Sequence, residues 1–221
     1  MLLLVRHGQA SLGTGNYDRL SELGQRQARA TGARLARADL AVHYVVCGAL
    51  VRQRDTATVL MAEMGMPESH LRIDERLDEY DHVGIMAAYQ PGVSFETAAT
   101  AQERQRIQPA LDEAIVRWAA ADDGTGTGYP ESHGAFMRRV FDATHDLTGR
   151  SGSTLAVTSG GVIAAICAER LGLPADRWPG LARLLVNASV TKLITGPTGT
   201  QLLSFNDHAH LESDRTMITY R

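Results

Sequence analysis

Arg6, His7 and Gly8 follow directly on an apolar run, Leu2 to Val5. A buried strand that ends on a cation, an imidazole and a glycine delivers chemistry at its carboxyl end, and in an open α/β sheet the ligand crevice lies there. Three other segments carry residues that suit the same crevice. The run His43–Gly48 leads into Arg52. The stretch Arg76–His82 supplies Glu79, with Asp78 and Asp81 as neighbouring acids. The run Thr154–Ser159 ends on Gly160 and Gly161, a glycine-rich strand-to-helix turn. Free N–H groups at such a turn suit an anion, and two arginines beside them suit a dianion, with phosphate the obvious candidate. Gly8 is expected to let backbone approach the ligand closely.

The chemistry follows from charge. A neutral imidazole attacks phosphorus and forms a phosphohistidine. Arg6 and Arg52 would keep His7 neutral by like-charge repulsion, and would neutralise the phosphoryl oxygens in the transition state. Glu79 would protonate the leaving alkoxide and then act as base toward water. Arg54 competes with Arg52 for the second clamp but lies half a helical turn away. Asp78 and Asp81 compete with Glu79. Ser159 has a plainer reading as the cap of the next helix. The stretch Thr158–Gly161 lacks the Gly-x-Ser-x-Gly elbow of a serine hydrolase. The eight histidines show no zinc-ligand spacing, so neither metal nor organic cofactor is expected.

Strand-like and helix-like segments alternate around these residues. Strands are expected at 2–5, 43–48, 71–73 and 154–159, with a hairpin over 189–206. Helices are expected at 22–38 with Ser21 as N-cap, at 50–64, at 95–121 with a break or restart at Pro109, at 132–148, and from Gly160 onward. Residues 122–130 read as a loop. The pattern predicts a single α/β domain over 1–221, a three-layer α/β/α sandwich with a mostly parallel central sheet.

Composition sets the outer limits. The 221 residues are 44% hydrophobic and 21% charged, with a net charge of -3. A chain of this length buries roughly 70% of its unfolded surface and needs no staples. The small net charge argues against a general nucleic-acid binder. No apolar run reaches the ~20 residues that span a membrane. Leu2–Val5 is too short for a signal-peptide core. Cys47 and Cys167 sit in apolar runs and read as buried reduced thiols. The expectation is a cytoplasmic protein with no nucleic-acid or membrane partner. A homodimer is compatible with the sequence, which specifies no oligomeric state.

The motifs resemble those of the histidine phosphatase superfamily, the phosphoglycerate mutase-like proteins. LLVRHGQAS at the N-terminus looks like the family signature, and LSELGQRQA (20–28) is similar to its first helix. GALVRQRDTA (48–57) looks like the second arginine motif and places that clamp on Arg52. RLDEYD (76–81) looks like the acid segment, with Glu79 at the acid's position. VTSGGVI (157–163) matches the segment usually read Val-Ser-His-Gly-Gly, and SFNDHAHL (204–211) resembles a tail motif of the phosphatase branch. The matches run in the family's order along nearly the whole chain. The resemblance implies the phosphoglycerate mutase-like fold, catalytic residues His7, Arg6, Arg52 and Glu79, and an insert at about 81–130 over the site.

Two departures stand out. Ser159 occupies the place of the family's second catalytic histidine. Its hydroxyl and the Gly160 N–H are the candidate replacements as phosphate donors. Losing one charge-assisted hydrogen bond costs roughly 1.5–3 kcal/mol, about tenfold to a hundredfold in rate. His82, His133, His208 and His210 are the other imidazoles for this role, His210 first. In the phosphate loop, Ala10 and Gly13 replace the family's polar residues, leaving Ser11 and Asn16 nearby as candidates. The resemblance implies a metal-independent phosphatase acting on a small phosphomonoester through phosphorylated His7. The alternatives are a phosphoglycerate mutase-type transfer and a weakened scaffold that only binds a phosphorylated ligand. EYDHVGIMAAYQPG does not continue as a mutase acid segment does, and Arg104 and Arg106 are not adjacent.

Overall fold

A computed structural model of the chain describes residues 1–11, 18–38, 40–93, 101–121, 128–174 and 177–220. In chain order the elements are β1 (Leu2–Arg6), α1 (Glu22–Arg37), β2 (Val42–Cys47), α2 (Val51–Glu63), β3 (Leu71–Ile73), α3 (His82–Tyr89), α4 (Ala101–Ala120), α5 (His133–Thr148), β4 (Ser153–Thr158), α6 (Gly160–Arg170), α7 (Trp178–Leu184), β5 (Val190–Gly196) and β6 (Gly199–Asp207). The sheet order is β3-β2-β4-β1-β5-β6. The pairings β3·β2, β2·β4 and β4·β1 are parallel, and β1·β5 and β5·β6 are antiparallel. This is the expected mostly parallel α/β sheet with a late hairpin at its edge.

Strand alternation explains why β1 is apolar without interruption. Successive side chains point to opposite faces, and both faces are covered. Leu3 and Val5 pack with Val45, Cys47, Leu155 and Val157 under Leu35 of α1 and Ala57, Leu60 and Met61 of α2. Leu2 and Leu4 face the other way and join Val46 and Ala156 under α4, α5 and α6. Helix α6 is buried from Gly160 to Ala168, so its amino end meets the carboxyl ends of β1 and β4 without a layer between. Cys47 and Cys167 are buried free thiols, each pushed up to about 12, chiefly by burial.

Ser21 caps α1 by accepting from the Gly24 N–H, and Ser132 caps α5 through the Ala135 N–H. Helix α4 runs through Pro109 instead of restarting there. Proline removes one backbone hydrogen bond, and the helix is held by its buried face, Leu111, Ala114, Ile115 and Trp118. Residues 94–100 and 122–127, the expected start of this helix and most of the loop after it, lie outside the described residues. Helices α3 and α7 were not expected from the sequence. Among the described residues no helix is long and apolar enough to cross a membrane.

Gly8 is a packing position against α1. A Cβ on Gly8 would lie 2.5 Å from the Gly24 carbonyl oxygen, and one on Gly24 would lie 2.1 Å from that of Gln9. Two backbones in contact anchor the loop after His7 against α1. Gly24→Ala is therefore expected to destabilise the fold by about 1–3 kcal/mol through overpacking, read as a lower urea midpoint with an unchanged slope.

Candidate active site

One cavity opens at the carboxyl ends of the parallel strands. Arg6, His7, Arg52, Glu79, Gly160 and Gly161 line it, together with Ala10, Tyr80, His82, Leu111, Asp112, Ile115, Pro179, Ala182, Arg183 and Tyr220. The cavity is open to solvent on one side. The four residues expected to do the chemistry are thus brought together from three separate segments, with Arg6 and His7 adjacent on one of them.

His7 leaves β1 with its N–H donating to the Thr158 carbonyl at 2.9 Å. Its own carbonyl accepts from Asn187 Nδ2 at 3.1 Å. His7 Nδ1 lies 2.8 Å from the Gly8 carbonyl. A carbonyl only accepts, so Nδ1 carries the proton and Nε2 keeps its lone pair. Arg52 Nε donates to that Nε2 at 3.2 Å. His7 is 8% exposed, and its pKa is held well below the usual 6.5. Burial is the largest cause, with Arg52 and then Arg6 adding to it. The arginines contribute as expected, but desolvation leads.

Arg52 is the second residue of α2 and is aimed by an acid with no motif of its own. Asp18 Oδ1 accepts from Arg52 Nη1 at 2.6 Å, and its Oδ2 accepts from the Val51 N–H at 2.7 Å. The Arg6 guanidinium donates from Nη1 to the Leu185 carbonyl. A Cβ on Gly160 would lie 3.5 Å from Arg6 Nε, so the guanidinium passes close to the amino end of α6.

Glu79 accepts from the Gly161 N–H through Oε2 at 3.0 Å. Burial raises its pKa above the usual 4.5, and the Gly161 N–H, Arg52 and Arg6 oppose the rise. A Cβ on Gly161 would lie 2.2 Å from Glu79 Oε1 and 2.4 Å from the Tyr80 ring. Only glycine fits there while the carboxyl holds its place. Gly161→Ala is expected to lower kcat by at least about tenfold, more for esters with poor leaving groups, because it displaces the acid; steady-state rates on a series of aryl phosphates read this out.

The competing residues have other tasks. Asp78 Oδ1 accepts from the Ala49 N–H, and Asp81 caps α3 through the Val83 and Gly84 N–H groups. Arg54 is exposed. Neither Ser159 nor Ser11 lines the cavity. Ser159 is fully buried and its Oγ accepts from Gln53 Nε2 at 2.8 Å. The Ser11 N–H donates to the Arg19 carbonyl. Asn16 lies outside the described residues.

Among the candidate imidazoles, His210 is placed elsewhere. Its Nε2 meets Thr31 Oγ1 of α1 at 2.9 Å, and its pKa is lowered to about 4, chiefly by burial. His133 stacks on Trp178, and His208 lies 3.7 Å from Glu212. His82 alone of the four lines the cavity. The remaining wall comes from Leu111, Asp112 and Ile115 of α4, within the 81–130 span that the resemblance puts over the site, and from two segments not foreseen: α7, with Pro179, Ala182 and Arg183, and the C-terminal segment, with Tyr220. Arg183 pairs with Asp112 at 2.8 Å across the two helices.

The profile of the histidine phosphatase superfamily (branch 1) matches residues 2–208. A glucosyl-3-phosphoglycerate phosphatase of Mycolicibacterium vanbaalenii is 33% identical over 207 residues, 87% of this chain and 83% of that protein. A 2,3-bisphosphoglycerate-dependent phosphoglycerate mutase of Methylobacterium is 36% identical over 88 residues, 37% of this chain and 42% of that protein. Among solved structures, a mycobacterial glucosyl-3-phosphoglycerate phosphatase complexed with VO3 superposes with a TM-score of 0.64 at 25% identity, covering 94% of this chain and 99% of that one. The chain belongs to the histidine phosphatase superfamily, branch 1, and its likeness to a phosphatase extends over most of its length.

Proposed function

We propose that the chain is a metal-independent phosphatase that hydrolyses a small phosphomonoester through a phosphohistidine on His7. The observation that carries this reading is the pairing of a neutral imidazole, its Nε2 lone pair facing Arg52, with a carboxyl whose pKa is raised, in one cavity. On substrate entry the Arg52 N–H passes from Nε2 to a phosphoryl oxygen. Nε2 then forms a bond to phosphorus as the bond to the leaving oxygen breaks. Arg6, Arg52 and the amino end of α6 take the charge on the phosphoryl oxygens. Glu79 gives its proton to the leaving oxygen. In the second half, water adds to phosphorus as the nitrogen–phosphorus bond breaks, and the Glu79 carboxylate takes the proton. No step needs a metal.

The mutase likeness spans only 88 residues, whereas the phosphatase likeness spans most of both chains. A pure phosphate-binding protein would use the arginines, but has no use for a nucleophile and an acid held together. Substrates of the phosphatase relatives guide the choice of compounds: glucosyl-3-phosphoglycerate is the first specific substrate to assay beside a generic aryl phosphate. Turnover that persists in chelator between pH 5 and 8 supports the reading. Binding of inorganic phosphate without turnover of any phosphoester would replace it with the binding-protein reading.

A further inference from the structure

The place where the family carries its second imidazole is filled by a neutral strut. Gln53 and Ser159 are both fully buried. Besides its bond to Ser159 Oγ, Gln53 Nε2 donates to the Leu77 carbonyl at 3.1 Å, and its Oε1 accepts from the Leu50 N–H at 3.3 Å. Thr158 Oγ1 donates to the same Leu77 carbonyl at 2.6 Å. The strut ties the start of α2, which bears Arg52, to the segment before Glu79 and to the end of β4. It holds those segments in register but brings no imidazole to the cavity.

A second histidine lines the cavity from another element. His82 is the first residue of α3 and lines the cavity with Arg6, His7, Arg52 and Glu79. Its backbone is pinned on both sides. The His82 N–H donates to the Tyr80 carbonyl at 2.9 Å, and Asp81 caps the helix that His82 opens. Tyr80 is set among aromatic rings, with centroids 5.3 Å from Trp118, 5.7 Å from Phe136 and 5.7 Å from Trp178. Three residues after the acid, the chain therefore turns back on a fixed support.

We propose that His82 is a substrate-contacting residue, its imidazole donating a hydrogen bond to the bound phosphoryl group in place of the imidazole that position 159 lacks. The inference rests on the phosphatase reading of the same cavity, and extends it by assigning the missing donor to α3. An imidazole carries at least one N–H donor in either protonation state.

The test uses the full chain with His82→Ala and His82→Asn. Three quantities are measured: kcat and KM on an aryl phosphate, binding of inorganic phosphate by calorimetry, and the thermal midpoint. His82→Ala is expected to lower kcat/KM about tenfold to a hundredfold and to weaken phosphate binding at least about fivefold, at an unchanged midpoint. His82→Asn, which keeps an N–H donor, is expected to recover part of both. Phosphate binding and turnover within twofold of wild type in both variants would overturn the proposal. If wild type turns over no phosphoester, the catalytic reading fails separately. Phosphate binding then still decides the role of His82: loss in His82→Ala supports it, and no change overturns it.

Discussion

His7→Ala is expected to reduce turnover of an aryl phosphate by at least about a thousandfold while the protein stays folded and still binds phosphate. On the proposed route the attacking atom is the Nε2 that faces Arg52, and water cannot take its place there. Residues that act as a unit lose nearly all of their advantage when the nucleophile goes. The arginines and the amino end of α6 remain to hold the anion. Rapid quenching of wild type with radiolabelled substrate should trap an acid-labile, base-stable phosphate on His7, absent from His7→Ala. A variant that keeps a tenth of the wild-type rate would exclude the phosphohistidine route.

Glu79→Gln is expected to cost about a hundredfold to ten-thousandfold, the usual worth of a positioned general acid, and the loss should depend on the leaving group. An alkyl phosphate needs the proton and should lose the most. A nitrophenyl ester leaves as a stable anion and should lose the least in the first step. The pH profile supplies the second signature. Glu79 must be protonated for the first step, and burial raises its pKa above 4.5. The rate of the first step should fall as pH rises through that raised value, and Glu79→Gln should remove this limb. His7 must be neutral, and its pKa lies well below 6.5. Its protonation therefore limits the rate only on the acid side, beneath the ordinary histidine range. Pre-steady-state bursts at several pH values separate the two halves. An alkaline limb that survives Glu79→Gln would remove Glu79 from the acid's role.

The sequence alone determined the parts whose signals are local. An apolar run that ends on Arg-His-Gly reads as a buried strand delivering polar groups at its end, and β1 is buried throughout with His7 immediately after it. Arg52 and Glu79 were legible because their neighbours repeat a familiar order along the chain. Ser21 was legible as the start of a helix because a cap acts within one turn.

What only the tertiary structure decided are pairings between segments far apart in sequence. Nothing near Asp18 says that it aims Arg52, and nothing near Gln53 says that it meets Ser159, 106 residues away. Both contacts depend on β4 lying between β1 and β2 in the sheet. The same holds for the imidazoles. His210 and His82 look alike as letters, but one packs against Thr31 of α1 and the other opens α3 at the cavity. Helices α3 and α7 escaped the sequence pattern because one is a single apolar stretch of eight residues and the other begins on Trp178 and Pro179 within seven. Segments this short have little helical stability of their own; they form because packing against the core supplies it.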